Sequence, residues 1–142
     1  MAAVALPQYQ KAVEKSHVTQ AITAARAIKD AEEIYYLANG TYTDDLEELG
    51  IDVPTLSGFT VDSGTAQYQR ISLTRNMANY CYSIVYSFDH RDGAGNRRFY
   101  CVNCESANNA GRRKNSANLC KSFGGKLVWG VAGQGQESYS IE

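Results

Sequence analysis

The sequence predicts an α+β domain in which a long N-terminal α-helix packs on an antiparallel β-sheet. The first observation is that residues 7–39 form the only long stretch without an internal proline or glycine, and it is rich in helix formers. The second is that ten tyrosines, twelve glycines and many Asn and Ser residues in the second half indicate short strands joined by turns. The third is the length of 142 residues, which suits one domain with a substantial core.

The predicted helix begins at Pro7 and ends at Asn39. Proline suits the first turn because an N–H there would have no partner within the helix, and Asn39-Gly40 suits a left-handed exit. At 1.5 Å per residue the helix is roughly 50 Å long, more than a compact domain of this size needs to cover its core. We therefore expect part of the helix to serve a contact outside the domain.

Small and apolar side chains recur on one face of this helix at spacings of three and four residues. Ile34, Tyr35 and Leu37, near its C-terminal end, are expected to pack on the sheet. The first three turns offer mainly Tyr9, Val13 and alanines, too little apolar surface to define a core, so the N-terminal half is predicted to protrude. The apolar stripe consists of His17, Ala21, Ala24, Ile28, Ala31, Tyr35 and Ala38, with Val18, Ile22 and Ala25 beside it.

The formal net charge of −1 excludes a strongly basic nucleic-acid binder. The charges are nevertheless segregated along the chain. Residues 1–66 hold ten acids and four bases, a net charge of −6, whereas residues 67–142 hold five acids and ten bases, a net charge of +5. Two interpretations are open: solvated surfaces that balance each other, or charge complementarity between neighbouring copies in an assembly.

The four cysteines lie at positions 81, 101, 104 and 120, with no histidine nearby in the sequence. Cys101 and Cys104 form a C-x-x-C, but no second pair follows at zinc-ribbon spacing and no thioredoxin-like context surrounds it. An even count in a small Tyr- and Asn-rich domain predicts two disulfides and an oxidising compartment. A cytosolic protein with four free thiols is the alternative.

The first third of the chain resembles the type IV pilins and pilin-like proteins of bacteria. The resemblance rests on the small-residue run at 2–6, on the Pro-x-Tyr at 7–9, and on a Tyr-rich helix end followed by the Gly-x-Tyr at 40–42. It covers roughly residues 2–54, with a weaker similarity at 120–125. The sheet region between matches only in general character.

This resemblance implies a type IV pilin-like fold and no catalysis. It implies a subunit that waits in the inner membrane, is extracted by the pilus assembly machinery, and packs its N-terminal helix against other copies in an extracellular pilus for adhesion, motility or surface contact. Most of the family's membrane-spanning half-helix is missing, so we expect a soluble truncation that would contact the membrane only through that segment. The residues expected in the packing between subunits are Pro7, Tyr9, Val13, His17, Ala21 and Ala24.

Within a single domain spanning 1–142, we expect a protruding helix at 5–39, a helix-to-sheet connection at 40–56, and the sheet with a C-terminal loop region at 57–142. In pilins the connection often contacts the next subunit; a plain surface connector is the alternative.

A short helical turn is predicted within this connection, over residues 43–50. Asp44 with Glu47 three residues later fits a capping pair, and Gly50 suits the exit. The leucines at 46 and 49 are expected to face inward.

Residues 80–88 show the clearest alternation, with aromatic side chains on one face. Turn residues at 92–96 predict a hairpin between this strand and 98–104. The full set of strand candidates is 59–61, 68–74, 80–88, 98–104, 127–131 and 139–141.

The register of this hairpin predicts the disulfides. With residues 92–93 at the tip, Cys81 lies opposite Cys104, and Cys101 falls on the aromatic face. Cross-strand neighbours lie within disulfide reach, which favours Cys81–Cys104 and Cys101–Cys120. The swap, Cys81–Cys101 with Cys104–Cys120, remains open because a longer turn or a bulge would shift the pairing.

Residues 105–118 are predicted to form a long polar loop that Cys120 ties down. The loop corresponds in position to the disulfide-bounded C-terminal region of pilins. Its bases Arg112, Arg113 and Lys114 are candidate surface-binding residues, although no aromatic residues interleave with them, so nucleic acid is not expected as a partner.

No nucleophile–base pair, phosphate loop or paired-carboxylate motif stands out, so neither an enzyme, a cofactor nor a small-molecule substrate is predicted. Residues 89–96 carry three oxygen-bearing side chains but lack a bidentate glutamate, which disfavours calcium. Arg97 and Arg98 are interpreted as solvated, and Trp129 is expected in the core.

A pilus subunit is therefore the first functional hypothesis. A pseudopilin of a type II secretion system is the second, and a secreted module that binds glycans or DNA through residues 105–118 is the third.

Overall fold

The computed structural model describes residues 2–52, 56, 58–62, 70–88, 98–104, 110–124, 126–131 and 134–141, with the side chains of 2–7, 128–131 and 134–136 excepted. The described chain is α+β, as the sequence predicts. The loop at 89–96, Arg97, residues 105–109 and the Trp129 side chain lie outside the described part. The elements in order are α1 (Ala2–Asn39), a 3₁₀ helix (Leu46–Leu49), β1 (Phe59–Asp62), β2 (Arg70–Asn76), β3 (Cys81–Ser87), β4 (Arg98–Asn103), α2 (Ala110–Lys121), β5 (Leu127–Val131) and β6 (Gln134–Ser140).

The strands form one sheet in the order β1-β2-β3-β4-β6-β5, and all neighbours in it are antiparallel. The β3–β4 pairing has the predicted register, which places Ile84 opposite Cys101. The Cys104 N–H donates to the Cys81 carbonyl at 2.9 Å. Both favoured disulfides, Cys81–Cys104 and Cys101–Cys120, are confirmed, each with 5.3 Å between Cα atoms, and the swapped pairing is excluded.

Helix α1 packs across β2 and β3 through its small residues. Val18, Ala21 and Ile28 are completely buried, against Ile71 of β2 and Ile84 of β3. The prediction that the whole N-terminal half protrudes is therefore wrong, because the continuous run of exposed side chains in the described part of that half is limited to residues 8–12. Alanines allow the helix to approach the sheet closely, and the strands supply the large apolar side chains that the helix lacks.

The C-terminal end of α1 also differs from its prediction. Ile34 is 68% exposed and Leu37 is 84% exposed, so neither packs on the sheet. The sheet-facing positions of these turns belong to Ala31 and Glu32 instead. Burial of Glu32 is possible because its Oε2 accepts the Thr43 N–H at 3.1 Å. Thr43 lies beyond the helix, so the helical pattern does not reveal this partner.

Helix α2 occupies most of the stretch predicted as a polar loop, so that prediction is wrong for residues 110–118. Helix α2 contains the weak helix formers Gly111, Asn115, Ser116 and Asn118, and tertiary contacts stabilise it. Cys120 and Leu119 are completely buried. Ser116 Oγ accepts the Cys81 N–H at 2.9 Å and donates to the Arg112 carbonyl at 2.8 Å.

The connection after α1 follows its prediction except for the cap. Asp45, and not Asp44, caps the 3₁₀ helix, since its Oδ1 accepts the Glu47 N–H at 2.9 Å. Gly40 and Gly50 have φ values of +74° and +63°, so both predicted left-handed exits are confirmed. Leu46 and Leu49 pack partly buried against the core, as predicted.

Candidate interaction surface

A groove of about 220 Å³ lies between the exposed turns of α1 and the turn that joins β2 to β3. Tyr9 is 67% exposed on the helix side, and Met77 is 45% exposed on the turn side. We call this feature the Tyr9–Met77 groove. Its lining consists of Tyr9, Gln10, Val13, Glu14, Met77, Ala78, Asn79 and Tyr80.

A buried ion pair between Glu14, which lines the groove, and Arg75 joins α1 to β2. The Arg75 guanidinium binds Glu14 through two nitrogens, with Nε 2.9 Å from Oε2 and Nη2 3.0 Å from Oε1. Less than a tenth of either side chain is exposed. Two charges removed from water in this way are stable only when their geometry and hydrogen bonding are nearly complete.

Two aromatic side chains complete this cluster. The Tyr82 hydroxyl donates to Glu14 Oε2 at 3.0 Å, and Arg75 Cζ lies 5.7 Å from the centroid of the Phe59 ring. Burial raises the pKa of Tyr82, and the adjacent Glu14 carboxylate raises it further. The carboxylate is thus fully engaged in holding the helix to the sheet, which is a structural role.

Gly58 makes room for the Arg75 guanidinium. Its φ is +77°, and an added Cβ would lie 2.2 Å from Arg75 Nη1. Because Glu14 holds that guanidinium in place, we expect Gly58→Ala to lower the free energy of unfolding by about 1–3 kcal/mol in urea titrations.

Gly40→Ala is the matched control for this substitution. Its φ is +74°, and no atom in the described part of the chain lies within 4 Å of the added Cβ, so it carries the backbone cost alone. Equal costs for the two variants would contradict the role given to Gly58.

The residues predicted to pack between subunits separate into two groups. Tyr9 and Val13 line the groove and remain available to another molecule. Ala21 and Ala24 are buried in the core of the same chain, so their predicted role between subunits is wrong. The reason is that the helix uses these small residues to approach its own sheet.

His17 and Pro7, the other two residues of that prediction, fall in neither group. His17 is half-buried against the same chain, and its Nδ1 has no hydrogen-bond partner among the described residues. Its place between subunits stays a prediction. The Pro7 side chain lies outside the described part.

The candidate surface-binding bases lie at the groove end of the molecule. Arg112 donates to Asn76 Oδ1, and Asn115 Nδ2 donates to the Asn79 carbonyl at 3.2 Å. These bonds fix the start of α2 beside the β2–β3 turn. Arg112 is therefore part of the scaffold, whereas Lys114 is exposed.

The opposite end of α1 carries acidic and apolar groups together. Glu48 Oε2 accepts hydrogen bonds from the Tyr35 hydroxyl at 3.1 Å and from Thr43 Oγ1 at 2.5 Å. The bond to Glu48 is the main reason that the pKa of Tyr35 is raised. This network fixes the acidic connection to the last turns of α1, which also carry the exposed Ile34 and Leu37.

Sequence reasoning missed Met77 and Tyr80 as groove residues, and it missed the partner of Glu14. A lone methionine in a turn carries no pattern, but an acid on the apolar side of a helix is a signal for a buried base. Glu14 follows Val13 and precedes Val18 by four positions, so this signal was present in the sequence.

No protein-family model, no curated protein and no solved structure matches the chain. Within the described residues, no helix has the length and apolar character to cross a bilayer. In the same part of the chain, no group of three or more His, Cys, Asp or Glu side chains is placed to hold a metal ion.

Proposed function

We propose that this chain is the headpiece of a type IV pilus subunit, which polymerises through its N-terminal helix into an extracellular filament. The observation that carries the proposal is the division of α1 into two parts. The face from Glu14 to Glu32 is fixed to the sheet, whereas the side chains of residues 8–12 are exposed. An exposed helical extension on a disulfide-bonded head is what a subunit needs to reach its neighbours in a bundle of helices.

The proposal is tested in the bacterium that carries the gene. Antibodies against the 142-residue chain are expected to label surface filaments along their length in electron micrographs. Deletion of the gene is expected to remove those filaments, and a plasmid copy to restore them. Filaments that persist without labelling after the deletion would contradict the proposal.

The same experiment distinguishes the alternatives. A pseudopilin would give label confined to the periplasm and a loss of protein secretion, with no surface filament. A secreted binding module would give soluble protein in the medium. The binding-module alternative relies on Arg112, Arg113 and Lys114, of which Arg112 also donates to Asn76.

A further inference from the structure

We propose that copies of this chain join head to tail, with Ile34 and Leu37 of one copy docked in the Tyr9–Met77 groove of the next. This contact deepens the proposed function and rests on it, because it names two surfaces through which one filament subunit would hold another. Both surfaces are exposed on the isolated chain, and they lie near opposite ends of α1.

The projecting surface is an apolar pair on the last turns of α1. Ile34 and Leu37 are three positions apart, so they form one continuous patch on the helix. They are 68% and 84% exposed, the highest values among the large apolar residues of the described chain. A projecting pair of this size leaves apolar surface in water that a partner would bury.

Acidic residues surround this pair. The connection at 41–50, which Glu48 joins to Tyr35 on the same turns of α1, contains four acids and no base. Glu33 adds a fifth negative charge on the same turns of α1. A partner that covers Ile34 and Leu37 therefore needs an apolar recess with a positive rim.

The groove end of the same molecule has these properties. Tyr9, Val13 and Met77 supply apolar walls. The adjoining turns of α1 and α2 carry five bases, and their one acid, Glu14, is engaged by Arg75. These bases are Lys11, Lys15, Arg112, Arg113 and Lys114.

The two surfaces differ, so the contact is heterologous and repeats from copy to copy. Tyr9 and Ile34 are 25 positions apart in one helix, which separates them by about 37 Å along its axis. When neighbouring helices run parallel, an offset of this size does not allow two copies to satisfy both contacts with each other. The contact therefore extends into an open chain, as a filament requires.

Two variants that each introduce a charge test the contact in the 142-residue chain. Leu37→Lys places a base opposite the basic rim of the groove, and Met77→Glu places an acid opposite the acidic residues near the apolar pair. Each variant alone is expected to weaken self-association at least about tenfold, measured by sedimentation velocity over a range of concentrations. Gln20→Lys, at an exposed position midway along α1, is the matched control and should associate like the unaltered chain.

Mixing the variants gives the decisive result. Leu37→Lys retains a working groove and Met77→Glu retains a working apolar pair, so the mixture is expected to associate although neither variant does so alone. Thermal melting followed by far-ultraviolet circular dichroism should be unchanged, since both side chains are exposed.

Three outcomes would overturn the contact: an unaltered chain that is monomeric at about 1 mM, single variants that associate normally, or a mixture that stays monomeric. Its failure is distinguishable from failure of the proposed function. Native filaments that persist with each single variant would overturn the contact and leave the filament function standing. Native filaments that persist after deletion of the gene would overturn the function itself.

Discussion

Arg75→Met is expected to lower the free energy of unfolding by about 3–5 kcal/mol, since it leaves the Glu14 carboxylate buried without its counter-charge. Among the described residues two side chains donate hydrogen bonds to this carboxylate, Arg75 and Tyr82, so the variant would leave it only the Tyr82 hydroxyl. Urea titration followed by circular dichroism measures the loss.

Two further variants make this prediction specific. Glu14→Leu combined with Arg75→Met removes both charges, and it should recover most of the stability because no buried ion remains. Asp30→Asn, which affects a pair with Lys29 at an aspartate that is 70% exposed, should cost less than about 1 kcal/mol. If Arg75→Met cost no more than Asp30→Asn, the importance given to the buried pair would be refuted.

Removal of the Cys101–Cys120 disulfide by alanine at both positions is expected to cost about 3 kcal/mol, because the unfolded chain loses a crosslink that closes a loop of 19 residues. The same substitution should release α2, because a helix of 12 residues is only marginally stable without tertiary contacts. Hydrogen exchange of the α2 amides is expected to accelerate more than that of β3.

The Cys81–Cys104 disulfide provides the matched comparison. Its sequence separation of 23 predicts a similar entropic cost, but its removal leaves the β3–β4 hydrogen bonds to hold the same strands together. Exchange in α2 should therefore change less in that variant. Equal acceleration in both variants would show that the fold of α2 does not depend on Cys120.

The β-hairpin and its disulfides could be predicted from sequence because a strand alternates with a period of two. A shift of one residue would move Cys101 off the aromatic face, so the pattern permits few registers. Turn residues at the tip then select one of them. This register predicts the Cys81–Cys104 disulfide directly, and Cys101–Cys120 then follows because these are the two remaining cysteines.

Helix α2 and the outer face of α1 could not be predicted in the same way. The stretch at 110–121 has no apolar periodicity, and its helix depends on a disulfide and on the bond between Ser116 and Cys81. The apolar character of Ile34 and Leu37 suggests that they belong to the core. The last turns continue the face that Ile28 buries, so Ala31 and Glu32 are buried while Ile34 and Leu37 are exposed.

The attachment of α1 to the sheet also has a mechanical consequence. The helix is held by Arg75 near one end of its buried face and by the Thr43 amide near the other. Force directed along the helix axis loads both bonds and the apolar face between them in shear, so they must rupture together. A domain built in this way resists a pulling force on its helix better than one whose helix could be peeled from the sheet one turn at a time.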